Sequence, residues 1–414
     1  MQTALAESLQ HRADAAEAAS ILRACVHCGL CLASCPTYQL RGDELDSPRG
    51  RIYLTKQLLE GGAASARTRL HLDRCLSCGA CESACPSGVR YGRLLEIGRS
   101  VLDSRSARPL RQVLARYLLR KLIPHRRRVR VLLMVARMAR PLLPQRLRVH
   151  VPRRRRRAGS SAWPAPRHAR RVLLLEGCAQ AALAPEINVA AARVLDTLGI
   201  SALRVPQAGC CGALTHHLGA EEETRAQLRR NVDVLEPLLD ERVEAVLSAS
   251  SACSAVLTQY GRLLAAEPGY AARAARIATL ALDLSEVVAA EGDALRRELP
   301  PGRGAGVRVA FQSPCTLQHA LQSAGKVEPL LRAAGYELTA VADEGRCCGA
   351  AGTYFLLQGE LSVQLRDAKL AALQAGEPAL LATANIGCLQ QLRSAATLPV
   401  RHWIELLAAR LDRG

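Results

Sequence analysis

Apolar positions along the chain follow two regimes. Through the first hundred or so residues they recur at helical spacing. Residues 1–24 read as a helix, Arg51–Glu60 as a second behind the start signal Ser47-Pro48, and Leu94–Ser104 as a third. From residue 170 onward, short apolar runs alternate with helical stretches. Arg171–Gly177 and Val307–Pro314 read as strands that lead into cysteines, and Ala245–Ser248 and Ala379–Thr383 as further strands. Val194–Gly199 and Leu330–Gly335 read as helix ends closed by glycine. Such alternation predicts α/β domains with mainly parallel sheets.

Between the regimes lie two apolar stretches, Val113–Ile123 and Val129–Leu143, interrupted by Pro124, Pro141 and Pro144. Drawn as a helix, this region places Arg126, Arg130, Arg137 and Arg140 within an arc of about 80°. Val131, Leu132, Val135 and Met138 lie mostly opposite, with Leu133 the exception. Two readings suit this pattern: a helix lying on an anionic membrane face, or one packed on the protein with its arginines solvated. No run of eighteen apolar residues exists, so no bilayer-spanning helix is expected.

The alternating region repeats itself. Cys178 to Cys210 and Cys315 to Cys347 are both steps of 32 residues, and the copies are offset by 137. Gly209-Cys210-Cys211-Gly212 parallels Arg346-Cys347-Cys348-Gly349, and Cys253 parallels Cys388 at an offset of 135.

Cysteine is what gives the pattern a chemistry. All 16 fall into four groups. Cys25, Cys28, Cys31 and Cys35 form Cys-x-x-Cys-x-x-Cys-x-x-x-Cys-Pro, and Cys75, Cys78, Cys81 and Cys85 repeat it. A cubane [4Fe–4S] cluster needs one soft thiolate per iron. In two-cluster ferredoxins the fourth cysteine of each run ligates the other cluster. The expected sets are therefore Cys25, Cys28, Cys31 and Cys85 on one cluster, and Cys75, Cys78, Cys81 and Cys35 on the second. Gly29 and Gly79 let the loop backbone approach closely. Structural zinc uses two Cys-x-x-Cys knuckles per ion, so the third cysteine at that step argues against it. The opening MQTALAESLQHRADAAEAAS has no apolar signal-peptide core, so a reducing compartment with metal-bound thiolates is expected rather than disulfides. The remaining eight, Cys178, Cys210, Cys211, Cys253, Cys315, Cys347, Cys348 and Cys388, follow strand-like runs, where α/β sheets collect ligands. A further metal, iron–sulfur before zinc, is the favoured occupant. His217, His319 and His402 lie near these motifs and read as structural hydrogen-bonders; no catalytic residue is assigned.

The fold expected is α+β overall: an N-terminal α-helical two-cluster ferredoxin-like domain over 1–104, a basic connector over 105–168, and two repeated α/β domains over 169–300 and 301–414. The net charge of +19 belongs to the connector, since residues 99–157 hold 20 Lys or Arg against the single acid Asp103. Nucleic-acid binding is poorly served there, because Tyr117 is the one aromatic before Trp163 and stacking would be lost. The run Arg153–Arg157 suits an anionic surface better. No Gly-x-Gly-x-x-Gly follows a strand, Gly349-Ala-Ala-Gly352 having the wrong spacing, and no Walker loop is present. Neither flavin nor NAD is expected on this chain, and electrons are expected from a flavin on another subunit.

The chain resembles the iron–sulfur subunit of bacterial glycolate oxidase (glycolate dehydrogenase). The likeness is carried by Ile21–Cys31, Gly42–Tyr53, His71–Cys75, Pro86–Tyr91, Leu174–Gln180, Cys315–His319, Ala384–Cys388 and Pro399–Glu405. It implies an oxidoreductase complex in which FAD-containing partner subunits oxidise glycolate and D-lactate. This subunit relays the electrons toward the quinone pool, at the cytoplasmic side of the inner membrane. The eight cysteines of the two runs match the family's cluster ligands. The double-cysteine halves also look like those of heterodisulfide reductases and of the iron–sulfur subunit of anaerobic glycerol-3-phosphate dehydrogenase, which supply the alternative functions. A heterodisulfide reductase carries a further Cys-x-x-Cys at the domain end, where this chain has Gln391 after Cys388.

Overall fold

A computed structural model describes residues 1–142, 162–300 and 306–411. The run Arg153–Arg157 lies outside the described residues. The chain forms two compact units. One comprises 1–117 with 345–366, the other 118–344 with 367–414. This partition differs from the four sequence segments, because a piece of the second repeat packs with the N-terminal region.

The first unit is helical. Its helices are α1 (Ala15–Ala24), α2 (Pro36–Arg41), α3 (Pro48–Leu59), α4 (Ala66–Asp73) and α5 (Tyr91–Arg105). Leu22, Leu58, Leu72, Leu94 and Leu102 are buried together at their centre. The single helix expected over 1–24 is broken, and Arg12 pairs with Asp14 at 2.9 Å across the break. Proline explains two helix starts. Pro36 and Pro48 occupy first-turn positions, where a missing N–H costs nothing, and Ser47 caps α3 by accepting from Gly50 N at 2.9 Å.

The helix α6 (Leu110–Leu122) follows, and α7 (Arg126–Met138) belongs to the second unit. α7 packs on the protein, but arginines of its arc reach back to backbone carbonyls instead of standing solvated. Val129 is buried, Arg126 donates to the Pro206 carbonyl at 2.9 Å, and Arg130 donates to that of Ala181 at 3.0 Å. Arg126 and Arg130 of the arc thus reach toward protein, although Arg130 remains exposed. Val131, Leu132, Met134, Val135 and Met138 are all exposed. Two carbonyls within reach of long guanidinium arms decide the matter.

The rest of the second unit holds two four-stranded parallel sheets, ordered β2-β1-β3-β4 and β6-β5-β7-β8. The strands are β1 (Arg170–Leu175), β2 (Ile200–Arg204), β3 (Val243–Ser248), β4 (Ala281–Asp283), β5 (Val307–Gln312), β6 (Tyr336–Leu338), β7 (Leu380–Thr383) and β8 (Val400–His402). The shared order confirms the repeat. Equivalent positions of the two copies meet where β3 and β7 end. Ser250 Oγ bonds Asn385 at 3.4 Å, and Ser251 N donates to the Ala384 carbonyl at 3.3 Å. His402 is buried there, with Nδ1 accepting from Ile404 N at 3.4 Å. Burial pushes its pKa down to about 3, so it stays neutral, in keeping with a structural role.

Candidate metal centres

The two cysteine runs fold into loops of matching conformation. His27 and Ser77, one residue before the second cysteine, both take positive φ (57° and 52°), as do Gly29 and Gly79 one residue after it (81° and 79°). Holding a non-glycine residue there costs of order 1–3 kcal/mol, and it turns successive cysteines toward one side. Sequence reading found the glycines and missed the strained residue two positions before each.

Cys25, Cys28, Cys31 and Cys85 line one cavity, which Cys81 also borders, closed by Ile52, Val89 and Tyr91. Burial pushes the Cys31 thiol up, and the neighbouring Cys25, Cys28 and Cys85 add to the effect. A second group forms around Cys81, whose thiol is pushed well up by burial and then by Cys78, Cys75 and Cys35. Each group thus draws three cysteines from one run and the fourth from the other. Four converging soft donors suit a four-iron group, and the chemistry of the set fits the cofactor.

The second group has a distinctive neighbour. Arg51, on α3, is 1% exposed. It donates to the His71 carbonyl at 2.7 Å and to Thr37 Oγ1 at 3.1 Å, and its Nη1 lies 3.9 Å from Cys35 Sγ. Cys75 Sγ accepts from Tyr91 Oη at 3.5 Å and from Ser77 N at 3.4 Å. Burial raises the Cys75 thiol, but the Arg51 and Arg99 charges together with the Tyr91 and Ser77 donors outweigh it, and the net shift is downward. Asp46, wholly buried, balances the cations. Its carboxylate meets Arg74 at 2.9 Å, His71 Nδ1 at 2.8 Å and Arg51 at 3.5 Å. Asp43, Asp46 and His71 lie close enough to hold a cation, yet the Asp46 oxygens are already engaged by these bases. None of Arg51, Asp46 or His71 was singled out from sequence, although the likeness ran through Gly42–Tyr53 and His71–Cys75.

In the first repeat the four cysteines come together. Cys178 Sγ donates to Cys210 Sγ at 3.5 Å, and Cys211 lies against both Cys210 and Cys253. Hydrogen bonds from Cys178 and Cys211 push the Cys210 thiol well down, and the two donors are pushed up. The buried pair Asn231 and Tyr260 holds the double-cysteine backbone. Asn231 Nδ2 donates to the Cys210 carbonyl at 2.8 Å, and Tyr260 Oη to that of Cys211 at 3.1 Å. Gly212 sits at φ 94°, and a Cβ there would come within 2.4 Å of Leu228, which explains the glycine after the pair. His125, not considered from sequence, lies near Cys210.

In the second repeat Cys347 and Cys348 are buried within the N-terminal unit. Gly349 N donates to Cys347 Sγ at 3.5 Å, and Tyr354 Oη donates to the Arg74 carbonyl at 3.0 Å. Cys315 and Cys388 follow β5 and β7 in the other unit. His319 is pushed down by burial. Among the described residues no helix is long and apolar enough to cross a membrane.

Residues 21–89 match the family described as 4Fe-4S dicluster domain, and residues 172–258 and 309–393 each match the cysteine-rich domain family. Dicluster loops joined to paired cysteine-rich α/β domains define an iron–sulfur electron-transfer protein. The chain is 48% identical to the glycolate oxidase iron-sulfur subunit of Escherichia coli K12 over the whole of both chains. It is 31% identical to the probable glycolate oxidase iron-sulfur subunit of Bacillus subtilis 168, over 89% of this chain and 88% of that one. Lactate utilization protein A of Bacillus velezensis is 26% identical over 54% of this chain and 93% of its own. The chain belongs to the family of glycolate oxidase iron–sulfur subunits.

Proposed function

We propose that this chain is the electron-carrying subunit of a membrane-associated complex that oxidises glycolate and D-lactate. It receives electrons from FAD-containing partner subunits and passes them toward the quinone pool. The grouping of eight cysteines into two sets of four carries the reading, alongside the full-length likeness to the Escherichia coli subunit. Cys25, Cys28, Cys31 and Cys85 hold one [4Fe–4S] cluster, and Cys75, Cys78, Cys81 and Cys35 hold the other. Such a cluster supplies reversible one-electron chemistry. The chain's own residues keep the thiolates convergent, exclude water with Ile52, Val89 and Tyr91, and place fixed charge beside one set. Cys178, Cys210, Cys211 and Cys253 hold a further metal. The working domains are 1–104 for the clusters, 105–168 for the connector, and 169–300 and 301–414 for the two cysteine-rich repeats.

Anaerobic purification of the chain from its native membranes, followed by dye reduction, tests this. A co-purifying flavoprotein with glycolate-driven reduction is expected. A flavin-free chain inactive with glycolate, or activity only with glycerol-3-phosphate, would overturn the assignment.

The outward apolar face of α7 is the membrane contact in this reading, on the cytoplasmic side of the inner membrane. Exposed Arg127 and Arg128, with the positive charge concentrated in 99–157, complement anionic headgroups. Each buried aliphatic side chain contributes about 1.5–3 kcal/mol. Replacing Leu132 and Val135 together with glutamate is expected to cut co-sedimentation with phosphatidylglycerol vesicles by about a hundred-fold or more. Unchanged binding would exclude this face.

A further inference from the structure

We infer that Arg51, seconded by Arg99, makes the cluster of the set Cys35, Cys75, Cys78 and Cys81 the one of higher reduction potential. The inference rests on the ligation proposed above. Cluster potentials are set by net charge, hydrogen bonds to sulfur and exposure to solvent, and the two sets differ in all three.

Beside the Cys75-containing set lies a guanidinium with almost no exposure, 3.9 Å from Cys35 Sγ. Arginine keeps its charge throughout the working pH range, and in a poorly solvated interior that charge is weakly screened. Arg99 reaches the same loop, donating to the Cys75 carbonyl at 3.1 Å and to that of Leu72 at 2.7 Å. Asp46 offsets part of this charge, but it is shared with Arg74 and His71. Nearby Asp73 is engaged by Arg108 at 2.6 Å and Arg116 at 3.2 Å. The balance around the set is positive, and Tyr91 and Ser77 add donors to Cys75 Sγ.

The other set has no buried guanidinium beside it; the Met1 ammonium donates to the Cys25 carbonyl at 2.8 Å, but from a partly exposed position. Arg49, beside Gly29 of its loop, has a side chain 34% exposed and is bound to Glu44 at 2.8 Å. Cys28 is itself exposed. Adding one electron raises the negative charge on either cluster, and the fixed positive charge favours the addition at the Cys75-containing set. No bond is made or broken; the electron comes from a mediator couple and returns to it.

The test is a potentiometric titration of the full-length protein followed by electron paramagnetic resonance. In the wild type, the wave at higher potential is expected to be the one lost in Cys78→Ser, and the wave at lower potential the one lost in Cys28→Ser. Arg51→Gln should move only the higher wave downward, by at least a ten-fold change in its reduction equilibrium, which is 59 mV for one electron. Arg51→Lys should recover most of that shift. The reverse order of waves in the wild type overturns the inference even if the Arg51 variants fail to load clusters. Equal displacement of both waves by Arg51→Gln, or none, overturns it as well. Failure of the cysteine variants to separate two signals would instead refute the ligation itself.

Discussion

Cys85→Ser is expected to destroy the cluster held by cysteines more than fifty residues upstream and to spare the one held by its own run. Under the crossed arrangement Cys85 completes the set of Cys25, Cys28 and Cys31, with which it shares a cavity. Iron should fall by about four atoms per chain, and the surviving signal should match that of Cys28→Ser. Cys35→Ser should do the opposite and match Cys78→Ser. The outcome that defeats the arrangement is a Cys85→Ser spectrum that coincides with that of Cys78→Ser. Both fourth cysteines precede proline. In the first run Pro36 begins α2 and leaves Cys35 at the helix cap, pointed away from its own loop.

Asp46→Asn should be the most damaging single change in the N-terminal unit outside the cysteines. The carboxylate is completely buried and faces Arg51, Arg74 and His71. Losing its charge leaves buried guanidinium groups without their counter-ion, which costs about 3–5 kcal/mol. Urea midpoints of the anaerobically purified protein, read beside iron content, would measure it. Arg74→Gln should cost less, because that side chain is partly exposed and leaves Asp46 with Arg51, His71 and Arg41. A stability change in Asp46→Asn below about 0.5 kcal/mol would mean that the network is solvated.

The sequence was legible where the chemistry is local. Cysteines three residues apart can be ligands only if the loop turns them together, so both cluster runs could be read directly. The repeat was legible too, because strand, glycine and double cysteine recur at one offset. Strand ends were less sharp: β5 stops at Gln312, and Ser313 and Pro314 intervene before Cys315. Arg51 escaped notice because its partners lie 5 to 20 residues away on separate elements, and only folding brings them to one point. Periodicity identified both faces of α7 but not which one meets protein. That was settled by the Pro206 and Ala181 carbonyls, which no helical pattern records.

The residence of 345–366 in the same compact unit as 1–117 has a consequence for biogenesis. The ribosome releases the N-terminal helices early, but the Tyr354 hydroxyl that bonds the Arg74 carbonyl follows about 280 residues later. At about 5–20 residues per second, that is a wait of tens of seconds. The order of synthesis is therefore not the order of completion. A nascent chain interrupted in the second repeat carries every cysteine of both cluster runs and still lacks part of the shell around them. Such products would present unfinished thiolate loops to the cell.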